Sequence, residues 1–456
     1  MMTTVLAFLV TLGVLITVHE YGHYRVARAC GVKVLRFSIG FGRVLWRRQA
    51  SPDATEFTLC MLPLGGYVRM LDEREGPVPP ALRAQAFNNR PLLQRTAVVA
   101  AGPIANLLLA ALLFASANWL GQEEIKPVLG APQAGSLAER AGMRAGDWVT
   151  AASTDGLDWQ DVRSLADLRW QISEAVAHAQ ALHLSVSDAR GHGRRDLLLA
   201  TDQVGGQELD AQLMHRIGLG GPMSEPVLGR ITAGGAAEQA GLRSGDRVRL
   251  VDGEPVLDAA SLREQIRAAL DGTQARTMHW TIERAGAAVS IVVTPKVVSD
   301  NGRQIGRIEA MVGEPPQMVT LRYGPLDGLW RGALRTWEVS TMTLKVFGRM
   351  LIGEASLKNL SGPLTIADYA GQSARLGLTY YLSFLAMVSV SLGVLNLLPL
   401  PMLDGGHLMY YLFEGLSGRP VSEWWLKQLQ RAGALLLMLM MVLALSNDMA
   451  RLTGLH

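Results

Sequence analysis

The chain has 456 residues, of which 18% are charged and 49% are hydrophobic, and its formal net charge is +3. A typical soluble domain has roughly 25% charged residues, so part of this chain is expected to lie in a lipid bilayer. The apolar content excludes a disordered or collagen-like chain, and the balanced charge gives no case for nucleic acid as a partner. Two cysteines, Cys30 and Cys60, cannot form a disulfide scaffold.

Four apolar stretches predict membrane-spanning helices, each of which needs about 20 apolar residues. The second stretch, 96–120, has no charged residue, and the third runs from residue 376 to about Pro401. The first, 5–18, and the fourth, 432–446, reach spanning length only with their polar flanks. A cleaved signal peptide is the alternative for the first stretch, but no Lys or Arg precedes it and no A-x-A-like site follows it.

The placement of Lys and Arg predicts the orientation in the membrane. Twelve of these residues lie between the first two spans, and the N-terminal tail has none. Cytoplasmic loops carry the excess of positive charge, so this segment should be cytoplasmic. The second span then leads out of the cytoplasm, so residues 121–375 are expected on the other side of the membrane. With four spans, the N- and C-termini are expected on that side as well.

The middle region contains an internal repeat. AGSLAERAGMRAGDWV begins at Ala134, and AGGAAEQAGLRSGDRV begins at Ala233. Each copy predicts a short helix ended by glycine, a Gly-Asp turn and an apolar strand, followed by a second helix and further strands. This pattern resembles the PDZ domain in its bacterial protease-associated form, which implies strand addition of an extended peptide. A spacer or steric cap with no peptide ligand is the alternative.

The first span ends in a motif typical of metal sites. His19-Glu20-Tyr21-Gly22-His23 matches HExxH, and residues four apart lie on one face of a helix, so both imidazoles can reach one metal ion. Glu20 is placed to take a proton from a water molecule at that metal. Ionisable residues in a span cost about 2.5–3.5 kcal/mol each, which a bound cation offsets. A structural zinc site with four protein ligands is the alternative.

Two histidines do not complete a catalytic zinc site, which usually has three protein ligands and one open position. The third span is followed by NLLPLPMLDGGH, from Asn396 to His407. Asp404 follows an apolar stretch that is broken by prolines. Irregular backbone near a membrane is tolerated only where protein or water covers it, so Asp404 is the best candidate for the third ligand. His407 is a rival ligand, and a helix N-cap is the structural alternative for Asp404.

Two accessory segments have their own patterns. Residues 34–70 are strand-like and rich in turns, which predicts a hairpin. Residues 326–352 mix Trp and Leu with Arg and Lys, which is typical of a helix lying in the membrane interface. A plain cytoplasmic hairpin and a helix buried against the second repeat copy are the respective alternatives.

Together, the HExxH span, the NxxPxPxLDGGH segment and the two PDZ-like copies resemble the site-2 protease family, and within it the regulator of sigma-E protease subgroup. The resemblance covers nearly the whole chain and implies zinc (Zn2+) as cofactor, Glu20 as general base, and the metal ligands His19, His23 and Asp404. It also implies a substrate-handling segment containing Asn396, Pro399 and Pro401. Gly102-Pro-Ile-Ala-Asn106 in the second span looks like a further family feature.

The implied fold is a polytopic α-helical membrane protein, with four transmembrane helices, two extracytoplasmic α/β PDZ domains and a membrane-associated β-hairpin region. The expected segments are 1–29, the first transmembrane helix; 30–95, a cytoplasmic, membrane-associated β region; 96–120, the second transmembrane helix; 121–221 and 222–310, the two PDZ domains; 311–375, a linker with an interfacial helix; 376–408, the third transmembrane helix and NxxPxPxLDG segment; 409–431, a cytoplasmic loop; and 432–456, the fourth transmembrane helix and tail.

The implied activity is an intramembrane zinc metalloprotease that cuts the transmembrane segments of single-span membrane proteins. An anti-sigma factor already trimmed by a first protease and remnant signal peptides are the implied substrates. The implied location is the bacterial inner membrane, with the PDZ domains in the periplasm and the active site near the cytoplasmic side. A non-catalytic PDZ receptor and a metal sensor or transporter are the alternatives from other classes.

Overall fold

The computed structural model describes residues 2–204, 213, 216–300, 303–352 and 362–453. The expectations for residues 1, 205–212, 214–215, 301–302, 353–361 and 454–456 lie outside these described residues. The chain divides into two compact units, one made of Met1–Gln122 with Arg322–His456 and the other of Glu123–Leu321. We call them the helical unit and the sheet unit.

The helices of the described residues are α1 (Met2–Ala29), α2 (Leu92–Leu120), α3 (Leu137–Arg140), α4 (Leu165–Ala177), α5 (Ala236–Gln239), α6 (Ala259–Arg267), α7 (Pro325–Leu351), α8 (Pro363–Leu376), α9 (Leu378–Leu397), α10 (Asp404–Ser417) and α11 (Glu423–Thr453). The strands are β1 (Val34–Arg48), β2 (Glu56–Met70), β3 (Gln122–Ile125), β4 (Trp148–Ser153), β5 (Gln160–Asp161), β6 (Leu182–Ser187), β7 (Arg195–Leu199), β8 (Leu228–Ile231), β9 (Arg247–Val251), β10 (Glu254–Pro255), β11 (Leu270–Asp271), β12 (Gln274–Ala275), β13 (Met278–Arg284), β14 (Ala287–Val293), β15 (Lys296–Asp300), β16 (Arg303–Arg307), β17 (Ala310–Val312) and β18 (Met318–Leu321).

Among the described residues, α1, α2, α9 and α11 are long and apolar enough to cross a membrane, which confirms the predicted four spans. Their ends differ from the prediction. The third spanning helix stops at Leu397, because Leu398 precedes a proline and has extended backbone. Residues 409–431, predicted as a loop, hold the rest of α10 and the first turns of α11.

The second span lies at the centre of the helical unit, where α2 packs against α1, α7, α9 and α10. Small residues allow the close approach of helices that is common in membranes. A Cβ at Gly332 of α7 would lie 2.5 Å from the carbonyl oxygen of Ala111 on α2. A Cβ at Gly22 of α1 would overlap the carbonyl oxygen of Ala101, also on α2. The predicted helix 326–352 is therefore present as α7, and it packs along a spanning helix.

The segment between the first two spans forms the predicted hairpin. Strands β1 and β2 pair antiparallel. The inner part of the hairpin packs on α1, where the ring of Tyr24 lies 5.8 Å from that of Phe37 and 5.6 Å from that of Phe57. The outer part of β1, residues 41–48, is exposed. The association of this hairpin with the membrane stays a prediction.

In the sheet unit, the two copies of the repeat have the same order of elements. Each contains a four-stranded antiparallel sheet, in the order β5-β4-β6-β7 in one and β10-β9-β13-β14 in the other. The Gly-Asp turns also correspond: Asp147 accepts from the backbone N of Arg144 at 2.8 Å, and Asp246 from that of Arg243 at 2.7 Å. The repeat in the sequence is therefore a repeat of local structure.

Candidate functional site

Helix α1 brings the two histidines of HExxH together. His19 and His23 lie one turn apart, and their Nε2 atoms are 3.2 Å from each other. His23 is buried, with 8% of its surface exposed. The local spacing therefore produces the paired imidazoles that the sequence predicted.

The third member of the site comes from the other end of the chain. Oδ2 of Asp404 lies 3.2 Å from Nε2 of His19 and 3.5 Å from Nε2 of His23. Asp404 is the first residue of α10, and Leu403 occupies the N-cap position, so the carboxylate is not the helix cap. His407 lies one turn further along α10, is exposed, and is outside this group of ligand atoms.

The three ligand atoms fit a zinc ion. Tetrahedral zinc has bonds of about 2.0–2.2 Å to nitrogen and oxygen, which places neighbouring ligand atoms about 3.3 Å apart. The edges observed here are 3.2, 3.2 and 3.5 Å. Two imidazoles and one carboxylate are a donor set of catalytic zinc sites, in which the fourth position stays open for water or substrate.

Helix α2 orients both rings from behind. Nδ1 of His23 lies 2.8 Å from the carbonyl oxygen of Val98, and Nδ1 of His19 lies 3.2 Å from Nδ2 of Asn106. A carbonyl oxygen can only accept, so His23 carries its proton on Nδ1 and directs the lone pair of Nε2 into the site. Both Gly102 and Asn106 belong to the motif in the second span that resembles a family feature, for which the sequence indicated no role.

Glu20 lies beside the hairpin. A Cβ at Gly66 of β2 would be 2.9 Å from Cγ of Glu20 and 2.8 Å from the carbonyl oxygen of Ser38. Strand β2 thus passes directly over this carboxylate side chain, and a larger residue at position 66 would push the two apart. The hairpin therefore borders the region around HExxH.

The predicted substrate-handling residues lie in and after the last turn of α9. Asn396 belongs to α9, and Pro399 and Pro401 belong to the connection to α10. A Cβ at Gly405 would overlap the carbonyl oxygen of Leu398, so the connection folds closely onto the start of α10. This packing fixes the N-terminus of α10, and with it Asp404. None of the three residues belongs to the metal-ligand group.

The matches to known proteins span the region that contains both motifs. A family model described as Peptidase family M50 matches residues 7–440. A protein of Ralstonia nicotianae with the provisional name zinc metalloprotease is 42% identical over 100% of both chains. The Regulator of sigma-E protease RseP of Escherichia coli is 39% identical over 98% of each chain. The Regulator of sigma E protease of Haemophilus influenzae is 37% identical over 98% of each chain.

Proposed function

This chain belongs to peptidase family M50, and on that premise we propose that it cuts peptide bonds inside the transmembrane segments of single-span membrane proteins, with the zinc ligands His19, His23 and Asp404. It is a zinc metalloprotease of the site-2 type and a multi-pass membrane protein. The observation that carries the assignment of ligands is the approach of Asp404 to both histidines, at 3.2 and 3.5 Å.

Zinc, when bound, supplies Lewis-acid polarisation of the scissile carbonyl and favours loss of a proton from water. The carboxylate of Glu20 accepts that proton as the water oxygen attacks the carbonyl carbon. Glu20 then gives the proton to the amide nitrogen, so that the C–N bond breaks and the amine leaves neutral. The two histidines and Asp404 contribute by fixing where this chemistry occurs.

The substrate must be unwound before it is cut, because a transmembrane helix uses all its backbone hydrogen bonds internally. Strands β1 and β2 form a two-stranded sheet that borders Glu20, and such a sheet can pair an extended chain along an edge. We assign Asn396, Pro399 and Pro401 to contacts with this unwound chain, since they lie in the last turn of α9 and in the connection that leads to Asp404.

We place the HExxH end of α1 near the cytoplasmic side of a bacterial inner membrane, because the basic segment follows it. By the same rule the two repeat copies, taken as PDZ domains, lie in the periplasm. We propose an anti-sigma factor trimmed by a first protease as substrate; the names of the relatives, which are regulators of sigma E, support a link to sigma-factor control. Remnant signal peptides are a second substrate with the same single apolar segment.

The test is cleavage of a labelled transmembrane peptide by the purified full chain in detergent. We expect cleavage that stops on chelation and returns with zinc, and a Glu20→Gln variant that keeps zinc but loses cleavage. The amide of glutamine has a similar shape and cannot accept the proton. Wild-type rates in Glu20→Gln would remove Glu20 from the mechanism, and cleavage by a metal-free enzyme would contradict the zinc site.

A further inference from the structure

We propose that Asn106 is a positioning residue whose side-chain oxygen accepts a hydrogen bond from Nδ1–H of His19, and thereby turns the lone pair of Nε2 into the metal site. The inference rests on the zinc site proposed above. It concerns the second span, which carries none of the proposed metal ligands.

The side chain of Asn106 is fully buried against His19. Its exposed fraction is 0%, and Nδ2 lies 3.2 Å from Nδ1 of His19. On the other side, Oδ1 is buried and has no hydrogen-bond partner in the described part of the chain. A half-turn about the Cβ–Cγ bond exchanges oxygen and nitrogen with almost no change of shape, and here it would break no bond of Oδ1.

The two orientations of the amide have opposite consequences for His19. If Nδ2 donates, Nδ1 must hold a lone pair, and a neutral ring then carries its proton on Nε2. That proton would point at Asp404 and His23 and would occupy the atom needed for the metal. If Oδ1 accepts, the proton sits on Nδ1 and Nε2 is free. Either orientation gives one hydrogen bond to His19, but only the second suits metal binding.

His23 also has a hydrogen-bond partner at its Nδ1, but here the partner has only one possible role. Its Nδ1 lies 2.8 Å from the carbonyl oxygen of Val98, which can only accept. Val98, Gly102 and Asn106 are spaced by four residues on α2, so they lie on one face of the helix. With Oδ1 of Asn106 as acceptor, this face gives each imidazole one acceptor, and both Nε2 lone pairs converge on the site.

The position of Asn106 is itself held by a neighbouring span. Ser389 of α9 donates its hydroxyl to the backbone oxygen of Asn106, with a distance of 2.8 Å. Ser389 is fully buried. Gly102, one turn earlier, lets α2 approach the imidazoles. The amide is thus fixed relative to α1 by packing on two sides.

The test measures zinc affinity by chelator competition on the full chain in detergent. Asn106→Leu keeps the approximate shape but has no acceptor, and Asn106→Asp has only acceptors. We expect about a 10–100-fold loss of affinity for Asn106→Leu, the range for partners of metal-bound histidines, and a change within about threefold of wild type for Asn106→Asp. Cobalt substitution adds a readout besides activity, because its visible spectrum reports the ligand geometry.

The matched control is Asn118→Leu, since Asn118 is another buried asparagine of α2 and donates to the carbonyl of Gly328 at 3.1 Å, away from the metal site. It should keep wild-type zinc affinity. Should Asn106→Leu not be recovered folded, Asn106→Ala serves as the variant without an acceptor. Unchanged affinity without the acceptor, or an equal loss in Asn106→Asp, overturns the inference.

The failure of the zinc site itself would give a different result. If His19→Ala binds zinc as tightly as wild type, the ligand assignment is wrong and the inference about Asn106 falls with it. If His19→Ala loses zinc while Asn106→Leu keeps it, the ligand assignment stands and the inference alone is wrong.

Discussion

Gly102 leaves no space for a side chain between α2 and the ring of His23. A Cβ at this position would overlap Nε2 of His23 and lie 2.6 Å from its Cε1, and 2.9 Å from Cε1 of His19. The ring cannot simply withdraw, because its Nδ1 is bound to the carbonyl oxygen of Val98 at 2.8 Å. The backbone of the second span therefore lines the proposed metal site.

Gly102→Ala should weaken zinc binding by at least about tenfold, since outer contacts of metal-bound histidines have effects of this size. Alanine favours a helix by about 1 kcal/mol over glycine, so loss of α2 itself is not expected. Gly13→Ala on α1 is the control, because a Cβ there meets nothing within 4 Å. Chelator competition measures both. Equal affinities in the two variants would contradict the steric role of Gly102.

Asp404→Asn should lower zinc affinity by about 100-fold or more and abolish cleavage, because a neutral amide is a poor ligand for zinc. Asp368→Asn on α8 is the control, since Asp368 is exposed and accepts only from Gln372, among the bonds described, at 2.7 Å. Zinc content and peptide cleavage are measured on both. If Asp404→Asn keeps wild-type zinc content and cleavage activity, then His407 or another residue is the third ligand.

The sequence predicts which three residues meet in the candidate site, His19, His23 and Asp404. The four-residue spacing of His19 and His23 is a property of any helix, and the LDGGH motif pointed to Asp404. The contacts of Val98 and Asn106 with the histidines could not be predicted, because they join α2 to residues 75 and 87 positions away in the chain and depend on how the two helices pack. The signal available for Asn106 was the motif Gly102-Pro-Ile-Ala-Asn106 in the second span.

Helix α8 was not predicted from the sequence, and its N-terminus is capped by Asp448, a residue far away in the chain. Asp448 falls in the segment expected to be the fourth transmembrane helix and tail, and it is 1% exposed and accepts from the backbone N of Gly362 and of Leu364, both at 3.0 Å. Asp448 belongs to α11, and its carboxylate caps the N-terminus of α8. Gly362, at the N-cap position, has no side-chain oxygen of its own, and the local sign of a helix start is Pro363 at the first helical position.

The second repeat copy should lose stability in acid through Asp246. Burial raises the pKa of this carboxyl, but hydrogen bonds from Arg284 and from the backbone N of Arg243 outweigh burial and hold the pKa below its ordinary value. The folded state thus binds the proton more weakly than the unfolded state. The stabilisation is complete above the ordinary carboxyl pKa of about 3.9 and disappears as pH falls through the lower, folded value.

Asp246→Asn should therefore destabilise this copy by about 2 kcal/mol at pH 7 and weaken its acid dependence. Hydrogen exchange of β9 and β13 in the full chain, corrected for the intrinsic rate at each pH, measures the effect. Asp271→Asn is the control, because Asp271 is exposed in the same copy. An equal loss of protection in both variants would show that the bonds to Asp246 contribute nothing specific.

The last prediction concerns the role of the two repeat copies, which we propose act as a steric filter on the periplasmic part of the substrate. Strand β3 pairs with β18, and the backbone N of Lys126 donates to the oxygen of Gln317 at 2.8 Å. The two ends of the sheet unit thus lie side by side, so residues 127–316 can be replaced by a short linker without stretching the chain.

This excision should leave cleavage of trimmed substrates largely intact and allow untrimmed substrates to be cut as well. A folded outer domain would collide with two modules before its span reached the zinc, whereas a trimmed one would pass. The control is Ile305→Trp, which fills the groove between α6 and β16 lined by Ile266 and Ile305, and which should change neither substrate's cleavage. Co-expression with full-length and trimmed substrate, scored by immunoblot, compares the variants. If the enzyme without residues 127–316 cut only the trimmed substrate, the steric-filter proposal would be wrong. If it cut neither substrate, activation of the enzyme by a ligand of the two modules would be the better explanation.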